Sequence, residues 1–539
     1  MAAHRHVQRG RIHADRQKGL AAKRMMEFEL KLRVDDHAAS RIWKNAAAAS
    51  LVTSEPASKS VLSIYHDTED HALHRAGISL RLRRDGDRWV QTVKSGRSMK
   101  MGISRVSEFE TGVEEARIDL DACADTELRS AIEALARNAD LAPVYSTDID
   151  RTEAEVRTQG GTSALLVVDR GNVIAGARTA GICEMEIELV DGPPEGIYEI
   201  ARKVLPQGGA RFSHVSKAGR GYLLADTGSI ELPPEPRNAR KIALKKRTGV
   251  AEAASRVLGE CAEQVFANAE TVLLSSDPEG PHQLRIGLRR LRCALSLFRG
   301  VLDESSRRRL ASEAGWMGKQ ISRLRDLDVL AMEVREVMCA QAPGQFDFAS
   351  LLETVLTEIS DERRRVRDFL TGPQALGFML DLAELVETVS SGTAIAKVPA
   401  GKQSGILSVS RREMRRRWKK AREKARRLDE LSIEERHQLR KELKKLRYAA
   451  EFVAPLYRRK EVAPFIRHLK SMQDVFGALA DAAMVSDHLT GLPVTDVPSR
   501  GRDRAIGWLL GAKTARAEEA WTHARRDWKE LREAPRFWR

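Results

Sequence analysis

Glu27, Glu29 and Lys31 alternate with Phe28, Leu30 and Leu32 in the segment MMEFELKLRV, residues 25–34. Successive side chains of a strand point to opposite faces, so the segment offers one apolar row and one charged row. The pattern recurs. Ser79, Arg81 and Arg83 oppose Ile78, Leu80 and Leu82; Thr92 shares a face with Lys94, and Glu108 with Glu110; Glu184, Glu186 and Glu188 oppose Cys183, Met185, Ile187 and Leu189. A solvated strand gains nothing by collecting glutamates, because neighbouring like charges repel. A closed or strongly curled sheet turns these faces inward into a polar tunnel, with the acids expected in one cluster and the bases in another. Clustered carboxylates suit a hard cation such as Mg²⁺ or Mn²⁺, which takes oxygen ligands from carboxylates and substrate phosphates. Arg and Lys suit the remaining phosphate oxygens. The chemistry that uses both is phosphoryl transfer on a polyphosphate, which asks a protein mainly for positioning and charge stabilisation.

A second constellation lies further along. HQLRIGLRRLRCA begins at His282 and HQLRKELKKLRYA at His437, an offset of 155 residues, and Asp326/Asp481 and Met317/Met472 keep that offset. Such a register predicts two equivalent helical units. At helical spacing His282, Arg285, Arg289 and Arg292 form one stripe, beside the apolar stripe Leu284, Leu288, Leu291 and Leu295. His437, Arg440, Lys444 and Arg447 repeat the basic stripe, and SRREMRRRWKKAREKARR (410–427) adds a third dense basic helix. Facing basic stripes predict a positive channel or groove for a linear polyanion.

The elements that must carry these residues exceed one core. At 539 residues the chain predicts two or three domains. Residues 237–539 hold 58 Lys and Arg against 41 Asp and Glu, while residues 1–236 hold 33 against 35, so the basic excess is entirely C-terminal. That asymmetry predicts two domains with different partners, the second facing a polyanion. Pro233, Pro234 and Pro236 mark the break. The expected organisation is a basic tail or unused upstream start over 1–24, a tunnel domain over 25–226, a Pro-rich linker over 227–240 and a helical domain over 241–535 with repeats at about 245–395 and 405–535. The fold class is α+β: an antiparallel closed β-tunnel with covering helices such as residues 127–139, then an all-α domain of two duplicated bundles. Five scattered cysteines without a CxxC pair predict a reducing compartment and no cysteine-based metal site. No apolar run is long enough for a bilayer span, so a cytoplasmic protein with no membrane partner is expected.

ExExK at Glu27, Glu29 and Lys31 resembles the signature of the CYTH family, the triphosphate tunnel metalloenzymes. SIYHDTEDHALHRAGISLRLRRDGDRWVQTVKSG (63–96), VVDRG with Asp169, CEMEIEL and SKAGRGY with Lys217 resemble its later segments in order, over roughly residues 25–225. The resemblance implies divalent metal bound by Glu27, Glu29, Asp169, Glu184 and Glu186. It implies triphosphate held by Lys31, Arg81, Arg83, Lys94, Arg151 and Lys217, with Glu27, Glu29, Lys31, Arg81, Arg83, Glu184 and Glu186 as the catalytic set and metal-assisted attack of water on the terminal phosphorus. Roughly residues 245–530 resemble the CHAD family of conserved-histidine α-helical domains, through the His282 and His437 segments and RDLDV. That likeness implies polyphosphate binding by His282, Arg285, Arg289, Arg292, His437, Arg440, Lys444 and Arg447. A tandem of the two resembles bacterial inorganic triphosphatases. The expected activity is Mg²⁺- or Mn²⁺-dependent hydrolysis of tripolyphosphate to pyrophosphate and phosphate, with long-chain polyphosphate at the helical half and an association with polyphosphate granules. The alternatives are a non-catalytic polyphosphate-granule protein, or a tunnel enzyme for an organic triphosphate of the thiamine triphosphatase or adenylate cyclase type. Nucleic acid is disfavoured, because the stripes carry few aromatics for base stacking.

Overall fold

The computed structural model describes residues 24–137, 139–339, 345–392, 405–490 and 500–539, and the expected basic tail over 1–24 lies almost wholly outside them. The chain divides into two compact units, Met1–Leu232 with Thr371–Leu380, and Pro233–Leu370 with Asp381–Arg539.

The first unit is built on nine antiparallel strands: β1 (Arg24–Val34), β2 (Ala57–Asp67), β3 (Ser79–Asp85), β4 (Arg88–Lys100), β5 (Ile103–Val113), β6 (Ala142–Arg157), β7 (Ser163–Ala175), β8 (Arg178–Asp191) and β9 (Ala210–Phe212). They run in the order β5-β4-β3-β2-β6-β7-β8-β1, and a further pairing of β1 with β5 closes an eight-stranded barrel. The short β9 takes over the edge of β1 at Leu32–Val34, beyond the last residue paired with β5. Closure leaves every strand with an inside and an outside, so the period-two pattern decides which side chains meet. Leu30, Leu32, Leu166, Met185 and Ile187 point outward and are completely buried. Over β1 and β8 lie the helices Asp36–Ala48 and Gly196–Val204, which bring Ala38, Ile42, Ala46, Ile197, Ile200 and Val204 to that layer. The helix Thr126–Ala136 sets Ile132 against Leu80 and Val93 on the outside of β3 and β4, and ends at Arg137 in the left-handed conformation.

One end of the barrel is filled. Tyr65, Tyr145, Ile149, Val173 and Ile182 on the inward faces pack with Ala218, Tyr222 and Leu224 of the helix Lys217–Thr227. Ser216 caps that helix by accepting from the Gly219 N–H, and the Tyr145 hydroxyl donates to the Ala218 carbonyl at 3.0 Å. Gly221 is required by close approach, because a Cβ there would lie 2.0 Å from the Tyr145 ring. Asp67 fixes the same corner: its carboxylate accepts from the backbone N–H groups of Thr68, Leu73 and His74 and from the Tyr222 hydroxyl.

Among the described residues the regular elements of the second unit are helices. Its elements repeat at the 155-residue offset: Val250–Leu274 answers to Ile406–Lys424, Glu279–Leu297 to Ile433–Val453, and Phe348–Thr371 to Arg500–Glu533. Glu304–Gln320 and Ser322–Cys339 together answer to the single helix Arg459–Thr490, so an element broken at Ile321 in one copy is continuous in the other. Met317 and Met472 are both fully buried at the equivalent place. The chain leading into this unit is irregular from Ser229 to Gly249, and Arg237 pins it by pairing with Glu260 and Glu263 on the helix Val250–Leu274. Among the described residues no helix is long and apolar enough to cross a membrane.

Candidate functional site

The register of the barrel explains how strands of one sign meet strands of the other. Lys31 lies opposite Glu186 across β1 and β8, Asp169 opposite Glu184 across β7 and β8, and Arg151 opposite Asp169 across β6 and β7. On the other side Lys94 lies opposite Glu108 and Thr92 opposite both Arg81 and Glu110. All of these share the inward face.

Two clusters result. In the first, Lys31 Nζ lies 2.5 Å from Glu186 Oε1 and 2.7 Å from Glu29 Oε2. Lys217, at the start of the plugging helix, reaches Asp169 at 2.7 Å, Glu184 at 3.1 Å and Glu186 at 2.5 Å. Arg151 holds Asp169 with two hydrogen bonds of 2.8 Å. In the second, Lys94 bridges Glu27 at 2.7 Å and Glu108 at 3.1 Å, Arg81 lies 3.5 Å from Glu108, and Arg83 lies 3.0 Å from Glu110. The predicted tunnel residues are therefore brought together. The expectation of separate acid and base clusters is not met, because a buried charge is costly unless an opposite one sits against it, and the register interleaves the two signs.

The electrostatics follow from this pairing. Burial pushes the Glu186, Glu184 and Asp169 carboxyls up, but Lys217 and the other neighbouring cations outweigh it and hold all of them below the ordinary range. Burial dominates at Glu27, raising it to about 8 despite Lys94, while Lys94, the bond to Glu27 and Arg81 hold Glu108 low.

Several interior residues were outside the sequence-predicted set. Arg220 is 2% exposed, donates to Glu184 and places Nη2 2.8 Å from Ser213 Oγ. It follows Lys217 by three residues, on the same side of the helix, and that spacing was the available signal. Glu108 and Glu110 were read as charged-face residues and complete the second cluster. Tyr65, stacked on Tyr145 at 4.5 Å, is drawn below the ordinary phenol value by Arg81 although burial opposes this. Glu188 faces Glu29 across the register but is only half-buried at the rim.

The donor chemistry fits a hard divalent cation: oxygen ligands, all carboxylate, converging on one interior. Glu184 Oε2 is buried without a hydrogen bond, 3.1 Å from the Lys217 ammonium. Among the described residues, however, no three acidic, His or Cys side chains stand in a ready-made metal cluster. Lysine and arginine groups occupy the spaces between the carboxylates.

In the helical unit the two stripes face one another. Arg290 pairs with Glu451 at 2.7 Å and Cys293 Sγ contacts the Lys445 carbonyl at 3.4 Å, locking the helices Glu279–Leu297 and Ile433–Val453 together. Arg285 pairs with Asp326 at 2.9 Å, and Arg447 lies 3.4 Å from Glu451. Among the described residues His282, Arg289, Arg292, His437, Arg440 and Lys444 have no ion-pair partner. Lys444 is depressed to about 7 by burial and then by Arg440, Arg289, Arg447 and Arg285. His282 is depressed to about 4 by burial and Arg325, and His437 is lowered by burial and Lys441. Burial and the surrounding cations thus favour the neutral form of both imidazoles, against the opposing pull of Glu279 on His282 and Glu434 on His437.

Comparison with known proteins matches residues 25–222 to the CYTH domain and residues 256–490 to the CHAD domain. An inorganic triphosphatase of Haemophilus influenzae is 27% identical over 202 residues, which cover 37% of this chain. The match spans about half, 55%, of that relative's length. Among solved structures, the CHAD domain from the plant Ricinus communis is 25% identical, with a TM-score of 0.47, over 56% of this chain and 98% of its own. HpAC1 from Hippeastrum, an adenylyl cyclase candidate described as having a dominant triphosphatase activity, is 18% identical with a TM-score of 0.25, over 38% of this chain and 98% of its own. The chain belongs to the proteins that carry a CYTH domain followed by a CHAD domain.

Proposed function

We propose that the barrel hydrolyses inorganic tripolyphosphate to pyrophosphate and phosphate with a divalent metal, and that the helical unit binds polyphosphate along its two stripes. The observation that carries the reading is the charge balance of the barrel interior. The ion pairs join seven carboxylates (Glu27, Glu29, Glu108, Glu110, Asp169, Glu184, Glu186) to seven cations (Lys31, Arg81, Arg83, Lys94, Arg151, Lys217, Arg220). A triphosphate entering such an interior brings uncompensated negative charge, and positive charge must enter with it. Glu27, Glu29, Asp169, Glu184 and Glu186 would hold Mg²⁺ or Mn²⁺, which supplies that charge and Lewis-acid polarisation of phosphoryl oxygens. With these carboxylates on a metal, Lys31, Lys94, Arg151 and Lys217 would be freed toward the phosphate oxygens, and Arg81 and Arg83 would reach them from beside Glu108 and Glu110. Their guanidinium and ammonium groups fix the chain and neutralise charge on the departing pyrophosphate. Arg220 keeps Glu184 in place. The H. influenzae relative supports this activity for the barrel.

The test is phosphate release from tripolyphosphate with Mg²⁺ or Mn²⁺ by wild type, Glu29→Gln and Glu184→Gln, with ATP and thiamine triphosphate as competitors. Metal-dependent release that both substitutions abolish is expected, with tripolyphosphate preferred. Folded protein that releases no phosphate from any triphosphate would leave the non-catalytic, polyphosphate-binding alternative in its place, and a preference for either competitor would shift the substrate to an organic triphosphate.

A further inference from the structure

The helix Ile406–Lys424 buries Ser410, Glu413, Met414, Arg417, Trp418 and Ala421, and turns Arg415, Lys419 and Arg422 to solvent. With Arg426 these stand at i, i+4, i+7 and i+11, a single row about 16 Å long. Arg536 and Arg539 border the same groove, whose cavity is about 680 Å³ and whose floor includes Trp418 and Trp538. Against six cations the groove sets one acid, Glu423, which lies 3.8 Å from Lys419. Arg536 lies over the Trp418 ring at 6.0 Å, and the Trp418 indole Nε1 is buried with no hydrogen-bond partner among the described residues. Arg536 is drawn below its ordinary value by burial and by the charges of Arg539 and Arg422, so these guanidinium groups crowd one another.

The repeat shows that the fold does not demand this row. At the 155-residue offset the equivalent positions of Val250–Leu274 are Glu260, Gln264, Ala267 and Thr271. There the face is already occupied, for Arg237 pairs with Glu260 and the Arg237 and Arg240 N–H groups donate to Asn268 and Glu260. The first copy uses acid on this face to hold a basic segment of the chain. The second copy puts Arg415 where the first has Glu260, and cations at three further positions that are uncharged in the first.

We infer that the outer face of Ile406–Lys424, with Arg536 and Arg539, is a second phosphoanion site, apart from the paired stripes, that takes an extended inorganic polyphosphate chain. A row of cations one helical turn apart, crowded and nearly free of acid, is relieved by a ligand carrying charge at every unit. The indoles are 5% and 1% exposed and offer no ring for a base to stack on, which selects against single-stranded nucleic acid. The inference does not depend on turnover in the barrel.

The test uses the full chain and a short-chain inorganic polyphosphate of defined length, titrated calorimetrically in EDTA without divalent metal, so that the barrel takes no chain. Wild type is expected to take two chains, R415E/K419E/R422E one, Arg289→Ala/Lys444→Ala one, and the combined variant none. Losing three cations should also lower the slope of log K against log salt by about two. A neutral counterpart, R415Q/K419Q/R422Q, should weaken the same site at least tenfold and guards against misfolding caused by charge reversal. Unchanged stoichiometry and affinity in the outer-face variants, or no binding by wild type, overturns the inference. So does a single-stranded DNA of equal charge that displaces polyphosphate from this face. Loss confined to the outer-face variants, with the stripe variant binding as wild type, would sustain this site and refute the stripe reading instead.

Discussion

Replacing Arg220 by Met removes one partner of the most deeply buried ion pair in the barrel. Arg220 and Glu184 are 2% and 1% exposed, and Ser213 Oγ accepts a second hydrogen bond from Arg220 at 2.8 Å. Stripping one member from a buried pair costs about 3–5 kcal/mol, because the remaining charge is left without compensation. Glu184 retains Lys217 at 3.1 Å, which puts the expected loss at the low end, about 3 kcal/mol. For a unit of this size that lowers the melting transition by about 6–12 °C. Calorimetry on the full chain reads the loss, and a cycle with Glu184→Leu isolates the pair. The double variant Arg220→Met/Glu184→Leu should recover most of the stability, since a matched apolar pair is close to neutral. It should not recover phosphate release, because Glu184 belongs to the proposed metal ligands. A coupling energy below about 0.5 kcal/mol would refute the assignment of Arg220 as the group that holds Glu184.

Gly221→Ala drives a methyl into the Tyr145 ring, 2.0 Å away, and is expected to cost about 1–3 kcal/mol and to lower phosphate release by shifting Lys217; unchanged stability and activity would show that the helix is not seated in the barrel as described. Lys444, depressed to about 7 in the folded chain against 10.5 ordinarily, makes the unfolded chain hold more protons between those values, so stability should rise with pH across that window. A bound polyphosphate raises Lys444 again and takes up a proton, so affinity should fall as pH climbs above about 7, and Lys444→Arg should flatten that dependence; a wild-type affinity that does not change with pH would contradict it.

The ExExK strand and the Glu184–Glu188 strand were legible because a period of two survives any tertiary arrangement, and barrel closure only decides which face is inside. The repeat was legible because His282 and His437 keep a long register that chance rarely reproduces. Arg220 was not, since its burial depends on a helix entering a barrel, and sequence spacing alone does not reveal that entry. Asp67 was read within a motif, whereas its carboxylate in fact ties three backbone N–H groups to Tyr222. The separation of acids from bases failed for a general reason: strand patterning gives each strand a sign, but pairing order gives each residue its neighbour. The basic run at 410–427 was read as a third dense basic helix. Its helix divides, with Arg416 reaching Ser296 and Arg417 the Cys293 carbonyl on one side, while Arg415, Lys419 and Arg422 face the other way.

The two units treat positive charge in opposite ways, and the difference bears on what each can bind alone. In the barrel each interior cation named above already has a carboxylate, so a phosphate chain must compete with one of the seven carboxylates for every contact it makes. Binding there is favourable only if something else takes the carboxylates, which makes metal and substrate thermodynamically linked: each should tighten the other by the same factor. In the helical unit Arg289, Arg440 and Lys444 crowd one another without an ion pair among the described residues, only partly offset by Asp326 and Asp481, and the crowding that depresses Lys444 is released by any anion of sufficient charge density. Polyphosphate should therefore bind the stripes without metal, and added Mg²⁺ should weaken that binding by competing for the phosphate oxygens. The same titration with and without Mg²⁺ thus has opposite expected signs at the two sites. A common sign at both would mean that the pairing of the barrel cations does not govern its affinity.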